Sequence, residues 1–168
     1  DTLERTAVAA RDPFGIKPLY YAQRDDLLML ASEMTPLLVA LGGEVALDET
    51  RIMRFLRRAA VDDGEGTCYR PLRQVPPGHR LRWTSGQSTV TPYHRWSCVP
   101  IPATEEPAQQ AAYYDLLVRT VGEYLHADVP VGVSLSGGFD SSLLAHLVHA
   151  HEGGAGANRL MFTRGYEG

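Results

Sequence analysis

The residues best suited to chemistry in this sequence follow a short apolar run in its second half. The run 131–135 (VGVSL) leads directly into Ser136-Gly137-Gly138-Phe139-Asp140-Ser141-Ser142, and the helix-favouring stretch LLAHLVHAH follows. Two consecutive glycines let the backbone approach an anion closely and adopt dihedral angles that are closed to other residues. A helix that begins there points its unpaired N–H groups and the positive end of its dipole toward the same place. The pattern predicts an anion site between a strand and a helix.

The side chains of this loop suit a polyphosphate that carries a divalent cation. Ser136, Ser141 and Ser142 offer hydroxyl groups. Asp140 would repel a phosphate unless a cation lay between them, so we predict that Asp140 binds Mg²⁺. The loop is not a Walker A motif, since no Gly-Lys-Ser/Thr follows, and it lacks the GxGxxG of dinucleotide sites. A plain strand–turn–helix junction, in which the glycines only turn the chain, is the alternative.

A parallel α/β domain is expected to position the loop. Thr104 can cap a preceding helix, and Glu105 and Glu106 then lie in its first turn, where the helix dipole favours acidic residues. The predicted apolar face of that helix consists of Leu116, Leu117, Val121, Tyr124 and Leu125. Helix, buried strand, glycine loop and helix are the opening of a parallel α/β domain. Prolines stiffen a connector over 97–107, which we predict to separate two domains.

The residues before this connector favour β-structure. A half-buried strand is predicted after the Pro76-Pro77-Gly78 turn, because arginines alternate with Leu81 and Trp83 there. The other predicted strands lie at 6–11, 19–23, 27–32 and 86–93, the second and third joined as a hairpin across 24–26.

Two helices are predicted within this β-rich part. Thr35 followed by Pro36 predicts the start of the first helix, and Gly42 and Gly43 end it. Asp48 is expected to cap the second helix. The apolar stripe predicted for that helix consists of Ile52, Met53, Phe55, Leu56 and Ala59.

Composition and charge exclude several classes of protein. Of 168 residues 44% are hydrophobic, which is too apolar for a disordered chain. The formal net charge of −4 argues against non-specific nucleic-acid binding, which needs a dense basic face. No apolar run approaches the roughly 18 to 20 residues that cross a bilayer. Two cysteines, Cys68 and Cys98, exclude a disulfide framework and favour free thiols in a cytoplasmic protein.

Both halves of the chain resemble one family. LSGGFDSS resembles the pyrophosphate loop of the N-type ATP pyrophosphatases, and ADVPVGVSLSGGFDSS is similar to the glutamine-hydrolysing asparagine synthetase family. RDPFGIKPLYYA, LLMLASEMTPLL, QVPPGHRLRW and YHRW resemble, in order, the late strands of the class II glutamine amidotransferase domain of that family. The implied fold is mixed α/β (α+β). It comprises the end of an αββα Ntn-type glutaminase domain over 1–96, a linker over 97–107, and the first elements of a parallel-sheet ATP-pyrophosphatase domain over 108–168.

The resemblance implies ATP-dependent amidation of aspartate, with glutamine as the nitrogen donor. The aspartate carboxylate attacks the α-phosphate of ATP, giving β-aspartyl-AMP and pyrophosphate, and ammonia then displaces AMP. The implied cofactors are ATP and Mg²⁺, and the implied partners are ATP, aspartate and glutamine, with neither nucleic acid nor membrane; a homodimer is compatible with the family. The implied ATP and pyrophosphate ligands are Ser134, Leu135, Ser136, Gly137, Gly138, Asp140, Ser141, Ser142 and Arg164, with Asp140 as the metal ligand.

The chain departs from the family pattern in three places. The family's glutaminase nucleophile is an amino-terminal cysteine, and neither Cys68 nor Cys98 matches it, so we expect it upstream of Asp1 in a longer polypeptide and expect this chain alone to be inactive. Phe139 stands where leucine is commoner, and we expect it to pack under the loop. Arg164 stands where the family usually has an aliphatic residue.

Other reactions remain open within this architecture. β-Lactam synthetases and lasso-peptide cyclases also adenylate a carboxylate but close it with an internal amine. A truncated, non-catalytic remnant that only binds nucleotide is a further alternative.

Several other polar groups are interpreted as structural or solvent-facing. They are the pair Arg11 and Asp12, the turn residue His79, the helix-face residues His146, His149 and His151, the basic stretch Arg70, Arg73, Arg80 and Arg82, and the loop carboxylates Asp62, Asp63 and Glu65.

Overall fold

The chain divides into two compact units, and each is described by itself. The computed structural model describes residues 5–43, 45–59, 64–98, 106–151, 160–163 and 165. The units are Asp1–Val99 and Pro100–Gly168. In chain order the elements are β1 (Thr6–Ala10), β2 (Tyr20–Arg24), β3 (Leu27–Ala31), α1 (Met34–Ala40), α2 (Glu49–Arg58), β4 (Arg73–Gln74), β5 (His79–Thr84), β6 (Gln87–Pro92), α3 (Glu106–Tyr124), β7 (Val133–Leu135), α4 (Phe139–His151) and β8 (Met161–Thr163).

Two antiparallel sheets form the first unit. One has the strand order β1-β5-β6 and the other β3-β2-β4. In the second sheet Arg24 pairs with Leu27, so the hairpin turns on two residues, and Asp25 adopts a left-handed φ of 51°. Leu81 is fully buried on β5 while its arginine neighbours are exposed. The predicted strands, hairpin and alternation are confirmed, with ends shifted by one or two residues.

One helix of the first unit begins where the sequence predicted and the other does not. The Asp48 carboxylate accepts a hydrogen bond of 3.1 Å from the Arg51 N–H, which confirms the cap of α2. The prediction that Thr35 caps α1 is wrong, because Glu33 is the N-cap and makes no side-chain cap bond. Pro36 therefore lies within the first turn of α1, where its missing N–H costs nothing. Gly42 and Gly43 follow the helix end as predicted, with φ of 99° and 83°.

The apolar stripe predicted for α2 is only partly correct. Ala59 is the C-cap residue in the left-handed region, with φ of 49°, and does not continue the helix. The residues of α2 are all described, and none of them is buried. Phe55 and Leu56 remain exposed. Among the described residues, the core of this unit comes from the sheets, α1 and the residues that flank β4, namely Tyr21, Val75 and Leu81 in one cluster and Ala22, Leu37 and Leu72 in another.

Arg11 and Asp12 hold the loop between β1 and β2 through backbone contacts. The Arg11 side chain is only 4% exposed and donates hydrogen bonds to the carbonyls of Lys17, Val75 and Gly15, at 3.1, 3.2 and 2.9 Å. The Asp12 carboxylate accepts from the N–H groups of Phe14, Ile16 and Lys17 at 3.0 to 3.1 Å. Both side chains thus have structural roles, as the sequence predicted.

The Asp12 contacts predict a pH-dependent contribution to stability. The N–H of Lys17, and after it that of Ile16, lowers the pKa of Asp12 below its ordinary value of 3.8. A lowered folded-state pKa stabilises the fold fully above the unfolded pKa, and that contribution is lost as pH falls through the folded value. We expect Asp12→Asn to destabilise the chain at neutral pH, with the difference from wild type shrinking below pH 3.8. Urea unfolding across this pH range measures it. Asp25→Asn, in the exposed hairpin turn, is the control, and an equal response of both variants would contradict the prediction.

The second unit joins two helices to a pair of parallel strands. β7 runs parallel to β8, with Val133 opposite Met161 and Leu135 opposite Thr163. Val121 of α3 packs against Leu147 and Val148 of α4. The strand predicted over 131–135 begins at 133, and Leu116 and Tyr124 of the predicted apolar face are exposed. Thr104 and Glu105 lie outside the described residues.

The predicted mixed α/β fold class is confirmed. Antiparallel sheets with helices in the first unit agree with part of a glutaminase-type layered domain, and the parallel pair with its helices represents the second domain type only in part. Within the described residues, every helix is too short or too polar to cross a membrane.

Candidate functional site

The predicted loop lies at the carboxyl edge of the parallel strands. β7 ends at Leu135, residues 136–138 form the loop, and α4 begins at Phe139. Thr163, the last residue of β8, lies opposite Leu135. The carboxyl ends of parallel strands are where α/β folds bind their ligands, because the loops and helix N-termini meet there.

Glycine is required within this loop. Gly137 has a φ of 80°, in the left-handed region that favours glycine. A Cβ built on it would meet no described atom within 4 Å, so the backbone is open on that side. At Gly138 a Cβ would lie 3.4 Å from the Ser136 Oγ. A ligand can therefore approach the main chain of Gly137 without a side chain between them.

The three serine hydroxyls hold the loop against the first turn of α4. The Ser141 and Ser142 hydroxyls donate to the Gly138 carbonyl at 3.1 and 2.9 Å. Ser141 Oγ also accepts the Ser136 N–H at 3.2 Å, and the Ser136 and Ser141 oxygens lie 3.0 Å apart. The sequence predicts these hydroxyl groups as donors to a ligand. The contacts show that these groups also organise the loop, so its shape is set before any ligand binds.

The N-terminus of α4 adds backbone donors beside the loop. The Ser142 N–H donates to the Gly138 carbonyl at 3.2 Å as the first helical hydrogen bond. The N–H groups of residues 139–141 precede that bond and point out of the helix end, toward which its positive dipole is directed. α4 has 13 residues, so its dipole is that of a full helix. The arrangement favours a phosphate in front of Gly137.

Asp140 suits a cation shared with a phosphate better than a cation held by protein alone. Its side chain is exposed in the first turn of α4. Among the described residues, no three His, Cys, Asp or Glu side chains come together to hold a metal. Mg²⁺ is often bound through one or two carboxylates together with substrate phosphates and water, and a lone carboxylate beside an anion site fits that mode.

The structure brings most of the predicted ligand residues together. The six polar and glycine residues of 136–142 lie in the loop and the first turn of α4, and Leu135 ends the strand that leads into them. Ser134 lies within β7, opposite Phe162 of β8. Arg164 lies outside the described residues.

Phe139 does not pack under the loop, so that expectation is wrong. Its side chain is 82% exposed at the first position of α4. The Cα–Cβ bonds of a helix tilt toward its N-terminus, and the first residue has no preceding turn beneath its side chain. The ring therefore extends into solvent at this end of the helix.

The exposure of Phe139 predicts a small effect of substitution. We expect Phe139→Leu to change the free energy of unfolding by less than about 0.5 kcal/mol, as for most surface substitutions. Magnesium-dependent pyrophosphate affinity should also stay within about threefold, a difference of under about 1 kcal/mol. Thermal unfolding and calorimetric titration measure the two quantities. A large loss of affinity with unchanged unfolding would show that the ring contacts the ligand.

Comparisons with known proteins agree with both units. A model of the glutamine amidotransferase domain matches residues 1–94, and a model of asparagine synthase matches residues 112–167. The chain belongs to the asparagine synthetase family. The candidate loop lies in the region matched by asparagine synthase, and the Arg11 loop lies in the region matched by the amidotransferase domain.

Curated relatives share about a third of the aligned residues. Asparagine synthetase [glutamine-hydrolyzing] 1 of Bacillus subtilis is 34% identical over 80% of this chain and 21% of its own length. A putative asparagine synthetase of Mycobacterium bovis is 31% identical over 99% of this chain and 26% of its own length. Amidase chry2 of Gibberella zeae is 32% identical over 88% of this chain and 22% of its own length. The chain thus spans between a fifth and about a quarter of the length of these relatives.

The other histidines and cysteines of this asparagine synthetase family member form no metal cluster among the described residues. His146 and His149 are exposed on α4, as predicted, and a Cβ on Gly122 of α3 would come within 2.8 Å of the His151 ring. Cys68 and Cys98 are free thiols. His79 Nδ1 lies 2.8 Å from the Pro77 carbonyl, in agreement with a structural role.

Glu65 is not the purely solvent-facing loop carboxylate that the sequence predicts. It accepts a hydrogen bond of 2.8 Å from the buried Tyr21 hydroxyl and lies 3.6 Å from the Arg73 guanidinium. Burial, followed by this bond to Glu65, raises the pKa of Tyr21 well above its ordinary value. The two residues lie 44 positions apart, so no local pattern could have paired them. Asp62 and Asp63 lie outside the described residues.

Proposed function

We propose that this chain provides the pyrophosphate-binding loop of an enzyme that amidates aspartate to asparagine, with ATP as the energy source and glutamine as the nitrogen donor. One observation carries the proposal: the open Gly137 backbone and the N-terminus of α4 lie together at the carboxyl edge of two parallel strands. Family membership supports the substrates, since two of the relatives above are named glutamine-hydrolysing or putative asparagine synthetases.

In the proposed site the loop binds the β- and γ-phosphates of ATP. The N–H groups at the start of α4 and the backbone around Gly137 donate to phosphate oxygens, and Ser134 and Leu135 position the strand end beneath the nucleotide. Ser136, Ser141 and Ser142 hold the loop in shape through their mutual contacts. Asp140 would hold Mg²⁺, which when bound neutralises phosphate charge and orients the leaving group.

The proposed reaction places this loop at the leaving group. The substrate carboxylate attacks the α-phosphorus, the bond from that phosphorus to the bridging oxygen breaks, and pyrophosphate departs into the loop. Ammonia then attacks the acyl carbon of β-aspartyl-AMP and AMP leaves. Since the loop binds the departing charge more strongly as it develops, it stabilises the transition state more than bound ATP.

The first unit is proposed to serve ammonia release. We assign 1–96 to the glutamine amidotransferase-like domain, 97–107 to a linker and 108–168 to the synthetase domain. We further propose action in the cytoplasm, which the free thiols of Cys68 and Cys98 support because reducing compartments keep cysteines unpaired.

Isotope transfer tests the proposed reaction. The enzyme that carries this chain is incubated with ATP, Mg²⁺, aspartate and glutamine labelled with ¹⁵N in its amide. We expect labelled asparagine, AMP and pyrophosphate in equal amounts. Pyrophosphate formed with a different carboxylic acid and without label transfer would instead identify the intramolecular cyclase reaction, and absence of pyrophosphate with every carboxylic acid would overturn the adenylation step.

A further inference from the structure

An apolar cavity in the first unit has the size of a ligand pocket. It measures about 340 Å³ and lies between β2, α1 and α2. Tyr20, Met34, Ile52 and Phe55 supply its apolar wall. Small-molecule sites typically enclose about 300 to 1,000 Å³ and combine a hydrophobic lining with a few polar groups. The cavity therefore has room for a small organic molecule.

The uncharged polar side chains of the wall are turned to the backbone. The Thr67 hydroxyl donates to the carbonyl of Leu72 at 2.9 Å, and the Gln74 amide donates to the carbonyl of Gly64 at 3.0 Å. These contacts fix the walls. The cavity wall that contains Tyr20 and Phe55 is therefore apolar.

Among the described residues that line the cavity, Arg51 is the one with a charged side chain. Its guanidinium lies across Gly66, where a Cβ would come within 2.7 Å of Nε. Arg51 also lines an adjoining polar groove of about 390 Å³, together with Arg70 and Arg73. A cationic group thus lies where the apolar cavity meets the polar groove.

The carboxylates of that groove already have partners. Asp48 accepts the N–H of Arg51 as the helix cap, and Glu65 accepts the Tyr21 hydroxyl beside Arg73. Among the described residues of the groove lining, there are thus three guanidinium groups and two carboxylates that already accept hydrogen bonds, and this balance favours an incoming anion over a cation. A guanidinium has five N–H donors in a fork that matches a carboxylate, so Arg51 can bind one in addition to its existing contacts.

We propose that this cavity binds a small apolar monocarboxylic acid. Its hydrocarbon part lies against Ile52 and Phe55, which removes the half-exposed Phe55 ring from water, and its carboxylate pairs with Arg51. The apolar wall supplies affinity, and the guanidinium distinguishes the acid from a neutral molecule of the same shape.

The two cysteines of the chain provide a direct test. Cys68 lines the cavity, whereas Cys98 is exposed elsewhere and serves as an internal reference. The enzyme that carries this chain is alkylated with iodoacetamide in the presence of octanoate or 1-octanol, and mass spectrometry follows the peptides that contain Cys68 and Cys98. Since only the unoccupied cavity reacts, octanoate at about ten times its Kd should slow Cys68 alkylation about tenfold and leave Cys98 unchanged.

Matched variants separate the carboxylate contact from general apolar binding. Arg51→Met should raise the octanoate concentration for half-protection about tenfold, whereas Arg57→Met, an exposed arginine of the same helix, should not change it. If Arg51→Met fails to fold, Arg51→Lys, which keeps the charge and loses the fork, replaces it. Equal protection by octanoate and 1-octanol would overturn the assignment of a carboxylic acid. Absence of protection at Cys68 by either compound would overturn the site.

Discussion

Asp140→Asn is expected to abolish ATP-dependent pyrophosphate release and to leave glutamine hydrolysis largely intact. Asparagine keeps the shape of the side chain but removes the negative charge that would hold Mg²⁺ beside the phosphates. In calorimetric titrations we expect the affinity of wild type for pyrophosphate to rise with Mg²⁺, and the affinity of the variant to be the same with and without it. The expected loss of turnover is about 100-fold or more, or about 2.7 kcal/mol of transition-state stabilisation.

Asp115→Asn is the matched control for this prediction. Asp115 is an exposed carboxylate of α3, so its replacement makes the same change in net charge away from the loop. It should retain magnesium-dependent binding and turnover. Pyrophosphate release that survived Asp140→Asn would contradict the metal assignment, and an equal loss in both variants would indicate a general effect of charge.

Arg11→Met is expected to cause the largest loss of stability. Methionine fills much of the same space but cannot donate, so the carbonyls of Gly15, Lys17 and Val75 lose a charged donor inside the protein. A buried acceptor left without its partner costs about 1 to 3 kcal/mol. The bond to Val75 is buried and the bonds to Gly15 and Lys17 are partly buried, so we expect a total loss of about 3 to 5 kcal/mol. That is a large share of the total stability of a small domain, about 5 to 15 kcal/mol.

Urea unfolding with matched arginine variants tests this expectation. Arg82→Met, at an exposed position on β5, should change the free energy of unfolding by less than about 0.5 kcal/mol. Arg11→Lys keeps the charge without the three-way geometry and should fall between wild type and Arg11→Met, which keeps the effect measurable if the methionine variant is unfolded. Overlapping curves for Arg11→Met and Arg82→Met would contradict a structural role for the guanidinium.

Local sequence was sufficient for the features whose parts are neighbours in the chain. The strand, the loop 136–138 and α4 follow one another directly, and the left-handed φ of Gly137 matches the glycine there. The Asp48 cap spans three residues and the β2–β3 hairpin turns on two. The metal and ATP roles of the loop stay predictions, because their test is ligand binding.

The sequence-based predictions differ from the structure where a local feature depends on contacts with distant segments of the chain. The N-cap of α1 is Glu33, two residues before the predicted Thr35. Leu37 packs against Ala22 and Leu72, and this long-range contact influences where the helix begins. Glu65 seemed free to face solvent, but the β2–β4 pairing brings Tyr21 to it. Neither partner can be identified from spacing.

The sequence by itself predicted the strand–loop–helix segment around 136–138 and most strands, since each depends on residue types within about a dozen positions of one another. The two domain types came from the resemblance of both halves of the chain to one family. Only the tertiary structure decided that the serines hold the loop, that Arg11 ties the β1–β2 loop to the Val75 carbonyl, and that Arg51 lies at an apolar cavity. The Arg11 and Arg51 contacts depend on segments that meet only after the chain has folded. Buried polar groups are nearly always hydrogen-bonded, and their partners can come from any part of the chain. The serine contacts span only a few residues. Which groups a serine hydroxyl contacts nevertheless depends on the path of the loop backbone, and the residue types alone do not specify that path.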